Sequence, residues 1–160
     1  MRVVVLGLGN VLLGDDALGV HAVRRLNERL SHPHLECVDG GTLGLSLLPL
    51  MEDATHLLIL DAIGIDAPPG TIVELPPRHL HAFPASKFSV HDVALPDLLS
   101  LLLFRKAEQA PQVWVMGAVP ERLDANEDLS QPVRNALGEV VTRAEHIVQD
   151  WLSGYGDSLG

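Results

Sequence analysis

A chain of 160 residues, 47% of them hydrophobic and 20% charged, suits one compact domain with a core of its own and excludes a long disordered protein. Eleven Lys and Arg against twenty-one Asp and Glu leave a formal net charge of −10, a field that repels polyanions, so neither nucleic acid nor an anionic membrane surface is an expected partner. The single cysteine, Cys37, rules out an internal disulfide and any paired-thiolate site. With no apolar stretch of spanning length and no leader-like N-terminus, a cytoplasmic protein is expected.

Short β-rich runs alternate with longer helical stretches, the pattern of parallel strands joined by crossover helices. The first strand is predicted over Val3–Leu6 and runs into a glycine-rich turn. From Asp16 onward, Leu18, Ala22, Val23, Leu26 and Leu30 form one apolar stripe on a helix that stops before His32-Pro33. A second strand is predicted near Leu35–Val38, followed by Asp39-Gly40-Gly41-Thr42 and a short leucine-rich helix. The third strand, Leu57-Leu58-Ile59-Leu60, is apolar at every position, as a central strand covered on both faces would be, and it ends on Asp61. A proline-rich stretch between Gly64 and Pro84 reads as irregular, with an edge strand at Thr71–Leu75. A leucine-dense helix over Pro96–Lys106, a strand at Gln112–Met116 and a last helix opening near Ser130, with Pro132 in its first turn, complete the chain. The expected fold is α/β: a three-layer α/β/α domain spanning residues 1–160, with a twisted, mostly parallel sheet of about five strands and a short flexible tail.

The turn after the first strand, Gly7-Leu8-Gly9-Asn10-Val11-Leu12-Leu13-Gly14-Asp15-Asp16-Ala17-Leu18-Gly19, is not a nucleotide fingerprint. A dinucleotide motif requires glycine where Leu12 stands, and no Gly-Lys pair followed by Ser or Thr is present. Two carboxylates, Asp15 and Asp16, sit where a phosphate would meet the helix N-terminus. One of them is expected to cap the helix. Side by side they repel, so the other is more comfortable facing a cation.

Open α/β sheets gather their sites outside the C-terminal ends of the strands. Asp16, Asp39 and Asp61 follow the first, second and third strands and should therefore line one edge. Asp39, followed by two glycines and a threonine, reads as a turn former that accepts backbone N–H groups. Among eight histidines, His91 stands out in Phe88-Ser89-Val90-His91-Asp92, where irregular chain meets a helix. His21 reads as a packed residue beside the first helix's stripe. Asp16, Asp61 and His91 together make a hard-to-borderline donor set suited to Zn, Ni, Fe or Mn. Ser46 lacks the flanking glycines of a nucleophile elbow, and Cys37 within a strand reads as a small buried hydrophobe.

Five motifs in order then resemble the maturation endopeptidases that trim the large subunit of [NiFe] hydrogenases. They are Gly7-Leu8-Gly9-Asn10 with Gly14-Asp15-Asp16 and Gly19, Asp39-Gly40-Gly41-Thr42, Leu60-Asp61-Ala62, Ser89-Val90-His91-Asp92, and Met116-Gly117-Ala118-Val119-Pro120. The resemblance spans nearly the whole chain. It implies that Asp16, Asp61 and His91 are both the metal-binding and the catalytic residues. The implied activity is removal of a C-terminal extension from the hydrogenase large-subunit precursor after nickel insertion, with the precursor's nickel as recognition element; zinc or another divalent ion is expected to substitute in vitro. Asp39, Gly40, Gly41 and Thr42 are assigned to substrate binding, the glycines allowing close approach of backbone. Two positions depart from the family pattern: Asp16 stands where many relatives carry Glu, and Ala17 where many carry Gly. The rival readings are a non-enzymatic nickel-checking or docking protein for the same precursor and a small-molecule metallohydrolase.

Overall fold

The structure, a computed structural model, describes residues 1–77 and 95–159. Five strands, β1 (Val3–Leu8), β2 (Leu35–Gly41), β3 (His56–Ala62), β4 (Ile72–Leu75) and β5 (Gln112–Ala118), form one sheet in the order β2-β1-β3-β5-β4. All pairings are parallel except the β4 edge, which runs antiparallel to β5. The helices are α1 (Leu18–Arg29), α2 (Leu48–Asp53), α3 (Leu95–Lys106) and α4 (Gln131–Leu159), which runs on into the stretch expected as a tail.

Alternation along the central strands builds two cores, because successive side chains of a strand point to opposite faces. Val3, Val5, Leu58, Leu60 and Met116 pack beneath α1 and α4 with Leu18, Leu26, Val140 and Val148. Val4, Leu6, Leu57, Ile59 and Val115 pack on the other face against Leu48 and Met51 of α2 and Leu98 and Leu102 of α3. Every residue of β1 is buried, as a strand covered on both sides must be. This is the expected three-layer α/β/α arrangement.

Four strand ends differ from the sequence reading, the first being β1, which runs to Leu8 rather than Leu6. β2 continues through Asp39, Gly40 and Gly41 rather than ending at Val38, because a register irregularity pairs Gly7 with Asp39 and Leu8 with Gly41 and so steps past Gly40. β3 carries Asp61 within the strand, paired with Gly117 of β5. β5 extends to Ala118. Trp151 and Leu152 of α4 pack against the first core, within the domain.

α1 lies unusually close to the sheet at Gly19. A Cβ there would sit 2.1 Å from the Leu60 carbonyl oxygen and 2.5 Å from that of Leu8. Only glycine lets the helix start directly over the ends of β1 and β3, and that placement delivers the preceding turn to the edge of the sheet.

Candidate functional site

β1, β2, β3 and β5 run parallel, so their C-terminal ends share one edge. Over that edge the chain leaves β1 through Gly9 and forms a 3-10 turn, Gly14–Ala17, before α1. Gly9 has φ +133°, and a Cβ there would lie 1.8 Å from the Asp16 carbonyl oxygen. The turn folds back on the strand end only because that side chain is missing. Ala17, at φ −75°, takes ordinary helical backbone, so the turn does not require glycine there.

Neither carboxylate of the turn caps α1, contrary to the sequence reading: Ala17 is the capping residue and no side-chain capping bond is made. Asp15, fully buried, reaches across to the loop between β5 and α4. Its Oδ2 accepts the backbone N–H groups of Glu121 (2.8 Å) and Arg122 (3.1 Å) and the Ser130 hydroxyl (2.7 Å). Its Oδ1 accepts the Ser130 N–H (2.7 Å). Asp15 thus places negative charge at the N-terminus of α4, where the helix dipole favours it. Backbone bonds from Gly14 N–H to the Asn126 carbonyl and from Asp15 N–H to the Arg122 carbonyl complete the seam.

With Asp15 consumed in this way, Asp16 is the carboxylate turned toward the sheet. It is buried, and its Oδ2 accepts the Asn10 N–H at 2.8 Å. Asp61, also buried, accepts the N–H of Ala62 at Oδ1 (2.8 Å). Burial pushes the Asp61 carboxyl well above the usual carboxylate range, the nearby Asp16 charge pushes it further up, and the Ala62 hydrogen bond opposes both. The structure therefore brings together two of the three expected ligands, in surroundings where a cation would relieve their repulsion. Both are hard oxygen donors, in keeping with a divalent ion. His91 lies outside the described residues, and among the described residues no cluster of three metal-ligating side chains occurs.

The second motif divides. Asp39 is not a turn former: it lies in β2, and its Oδ2 takes the Arg24 guanidinium of α1 at 2.8 and 3.1 Å. Asp39, Gly41 and Thr42 line a cavity of about 260 Å³ together with Gly9, Asn10, Val11, Val20 and Arg24. Gly40 does not line it. Its missing side chain faces Leu6, Leu8 and Leu47 in the core, so it serves packing rather than approach of a substrate. Sequence reasoning missed Asn10, Arg24 and Ser130. Asn10 stood in a quoted motif, and Ser130 preceded the last helix, but Arg24 looked like any charge on a solvated helix face.

Other chemistries are poorly served. Cys37 is half-buried against the core, and burial pushes its thiol up to about 11, which suppresses the nucleophilic thiolate. Ser46 sits exposed in a 3-10 turn. His21 is half-buried on α1, with its imidazole held below the usual value by burial and by Arg24 and Arg25. No helix among the described residues is long and apolar enough to cross a membrane.

Comparison with known proteins finds relatives that match most of the chain. Residues 20–147 match the family model HycI, described as hydrogenase maturation protease. The chain is 39% identical over 135 residues to the hydrogenase 2 maturation protease of Escherichia coli K12, covering 83% of this chain and 82% of that protein. It is 35% identical over 153 residues to the hydrogenase expression/formation protein HoxM of Cupriavidus necator, covering 93% and 75%. In three dimensions it superposes on the hydrogenase maturating endopeptidase HybD of E. coli with a TM-score of 0.84 and 34% identity, covering 94% and 93% of the two chains. The fold alone is shared, at 22% identity and a TM-score of 0.74, with a [NiFe] hydrogenase maturation protease from Thermococcus kodakarensis, over 92% of each chain.

Proposed function

The chain belongs to the hydrogenase maturation protease family and is a peptide hydrolase; from that premise we propose that it removes a C-terminal extension from a [NiFe] hydrogenase large-subunit precursor once nickel is in place. The observation that carries this reading is the buried pair Asp16 and Asp61, in which the Asp16 charge raises Asp61. Two carboxylates confined at the edge of a sheet gain most from an arriving cation, and here the cation is part of the substrate. Asp16 and Asp61 supply oxygen donors, and His91 is proposed as the nitrogen donor. Membership in a protease family favours cleavage over the docking reading and over a small-molecule metallohydrolase.

Precursor-bound nickel supplies a Lewis acid beside the peptide bond. The chain's own residues do the rest. Asn10 holds Asp16 through its backbone N–H, fixing the carboxylate against the end of β1. Asp61 is fixed at Oδ1 by Ala62, so Oδ2 is the oxygen that holds or releases a proton, the role general acid–base catalysis requires. Asp39, Gly41 and Thr42 line the cavity next to this pair and are proposed to receive the substrate backbone.

The decisive experiment is to incubate nickel-loaded and nickel-free precursor with the purified protein and follow the mass of the large subunit. Loss of a C-terminal peptide only from the nickel-loaded form is expected. Equal cutting of both forms would refute the metal requirement, and a stable complex of unchanged mass would point to docking.

A further inference from the structure

Of the six exposed large hydrophobic side chains among the described residues, Val11 (37% exposed) lines the cavity, and Leu12 (56%) and Leu43 (59%) are the chain neighbours of its lining residues Val11 and Thr42. Val11 belongs to the loop after β1 and Thr42 to the loop after β2, so the cavity has two lips of chain, on which Leu12 and Leu43 are the next residues in sequence. Gly9 N–H donates to the Gly41 carbonyl (3.0 Å), holding the two loops side by side. The cavity is linked to the candidate site through its lining residue Asn10, whose backbone N–H donates to Asp16.

These exposed leucines are not on slack chain. Leu12 N–H donates to Asn10 Oδ1 (2.9 Å), and its carbonyl accepts the Asn126 N–H (2.9 Å). Leu43 N–H donates to the Gly40 carbonyl (3.1 Å), and its own carbonyl accepts the Ser46 N–H (3.2 Å). Backbone held at both ends while the side chain faces water is the signature of a preorganised contact, which spares the ordering cost of binding. Between the lips the charges of Arg24 and Asp39 neutralise each other at 2.8 Å, so the floor offers main chain and a closed ion pair rather than a free charge.

Building on the proteolytic function proposed above, we propose that Leu12 and Leu43 clamp the precursor segment adjoining the scissile bond, an extended, uncharged stretch with apolar side chains. The lips read the client polypeptide, and the carboxylate pair reads its metal. Specificity for the protein is then separate from the requirement for nickel.

Steady-state processing of nickel-loaded precursor by the Leu12→Ser/Leu43→Ser double variant tests this, with Phe104→Ser as control. Phe104 is 84% exposed at the C-terminal end of α3, remote from the edge that carries the cavity. The double variant is expected to raise KM about tenfold, the loss that follows from un-burying part of two leucines, with kcat within about twofold. Leu12→Met/Leu43→Met should restore KM, and Phe104→Ser should leave both constants alone. An unchanged KM, an equal effect of Phe104→Ser, or lips that instead hold a second copy of this chain, seen as self-association abolished by the double variant, would overturn the clamp. If the wild type does not cut, the proteolytic reading fails on its own. Direct titration of the same precursor then decides the clamp: about tenfold weaker binding by the double variant upholds it, and equal or undetectable binding by both proteins overturns it.

Discussion

Asp15 and Ser130, 115 residues apart in the chain, are joined by two hydrogen bonds, from the Ser130 N–H to Oδ1 and from the Ser130 hydroxyl to Oδ2, each 2.7 Å. Together with the Glu121 and Arg122 amides they make Asp15 the fastener between the turn after β1 and the loop before α4. The neighbouring residue, Asp16, inherits its position from that fastening. One carboxylate of the Asp-Asp pair thus fastens two loops, and the other lies beside Asp61, where its charge is felt.

Asp15→Ala leaves three buried or half-buried backbone N–H groups without their acceptor. Unpaired donors of this kind are costly, and a loss of about 3 kcal/mol in unfolding free energy is expected. Ser130→Ala removes one donor and leaves the Asp15 carboxylate its other partners, so about 1 kcal/mol is expected. Urea unfolding of both variants at neutral pH measures the difference. Equal and small losses would show that the seam contributes little.

Asp61→Asn separates stability from function. Below the ordinary carboxylate value, Asp61 is protonated in both folded and unfolded chains and costs nothing. As pH rises past that value the unfolded chain releases the proton while the folded chain, whose Asp61 is raised by burial and by Asp16, retains it. The folded state then binds more protons, and stability falls with rising pH until the raised folded value is passed. Asn carries no such penalty. The variant is expected to melt with the wild type in acid and above it at neutral pH, while processing falls to background. A variant that melts below the wild type at neutral pH would contradict the raised carboxyl.

Gly19→Ala and Gly138→Ala should act in opposite directions although both sit in helices. At Gly19 a methyl group would collide with the Leu60 and Leu8 carbonyls, whereas at Gly138 in α4 nothing lies within 4 Å. The first forces α1 off the sheet and carries the Asp16 turn with it, so stability and processing fall together. The second gains the helix preference of alanine, about 0.5–1 kcal/mol. Thermal melts rank them, and a stable, active Gly19→Ala protein would refute the close approach.

What was legible in the sequence was whatever depends on neighbours in the chain. The unbroken apolar run 57–60 announced a central strand, and the aspartate that closes it is buried beside Asp16. The stripe from Leu18 to Leu26 placed α1 to within a turn. Contacts across the fold were not legible. Asp15 finds its partners 106 to 115 residues away, and nothing within its own turn distinguishes it from Asp16. β2 runs on through two glycines, residues that argue against a strand, because Leu6, Leu8 and Leu47 close over Gly40. Arg24 became meaningful only when β2 brought Asp39 beneath it.

Asp16→Asn tests whether the two site carboxylates sense each other. The amide oxygen can still accept the Asn10 N–H that Asp16 Oδ2 accepts at 2.8 Å, so the turn keeps its shape while the charge is lost. Of the two influences that raise Asp61, burial remains and the Asp16 charge is gone. The Asp61 midpoint should therefore fall yet stay above the ordinary carboxylate value, as read by carbon NMR titration of its carboxyl group. Processing of nickel-loaded precursor should drop to near background, since a neutral amide is a far poorer partner for a divalent ion than a carboxylate. An Asp61 midpoint that does not move would mean that the pair is not electrostatically coupled, and the case for a cation between Asp16 and Asp61 would lose its physical basis.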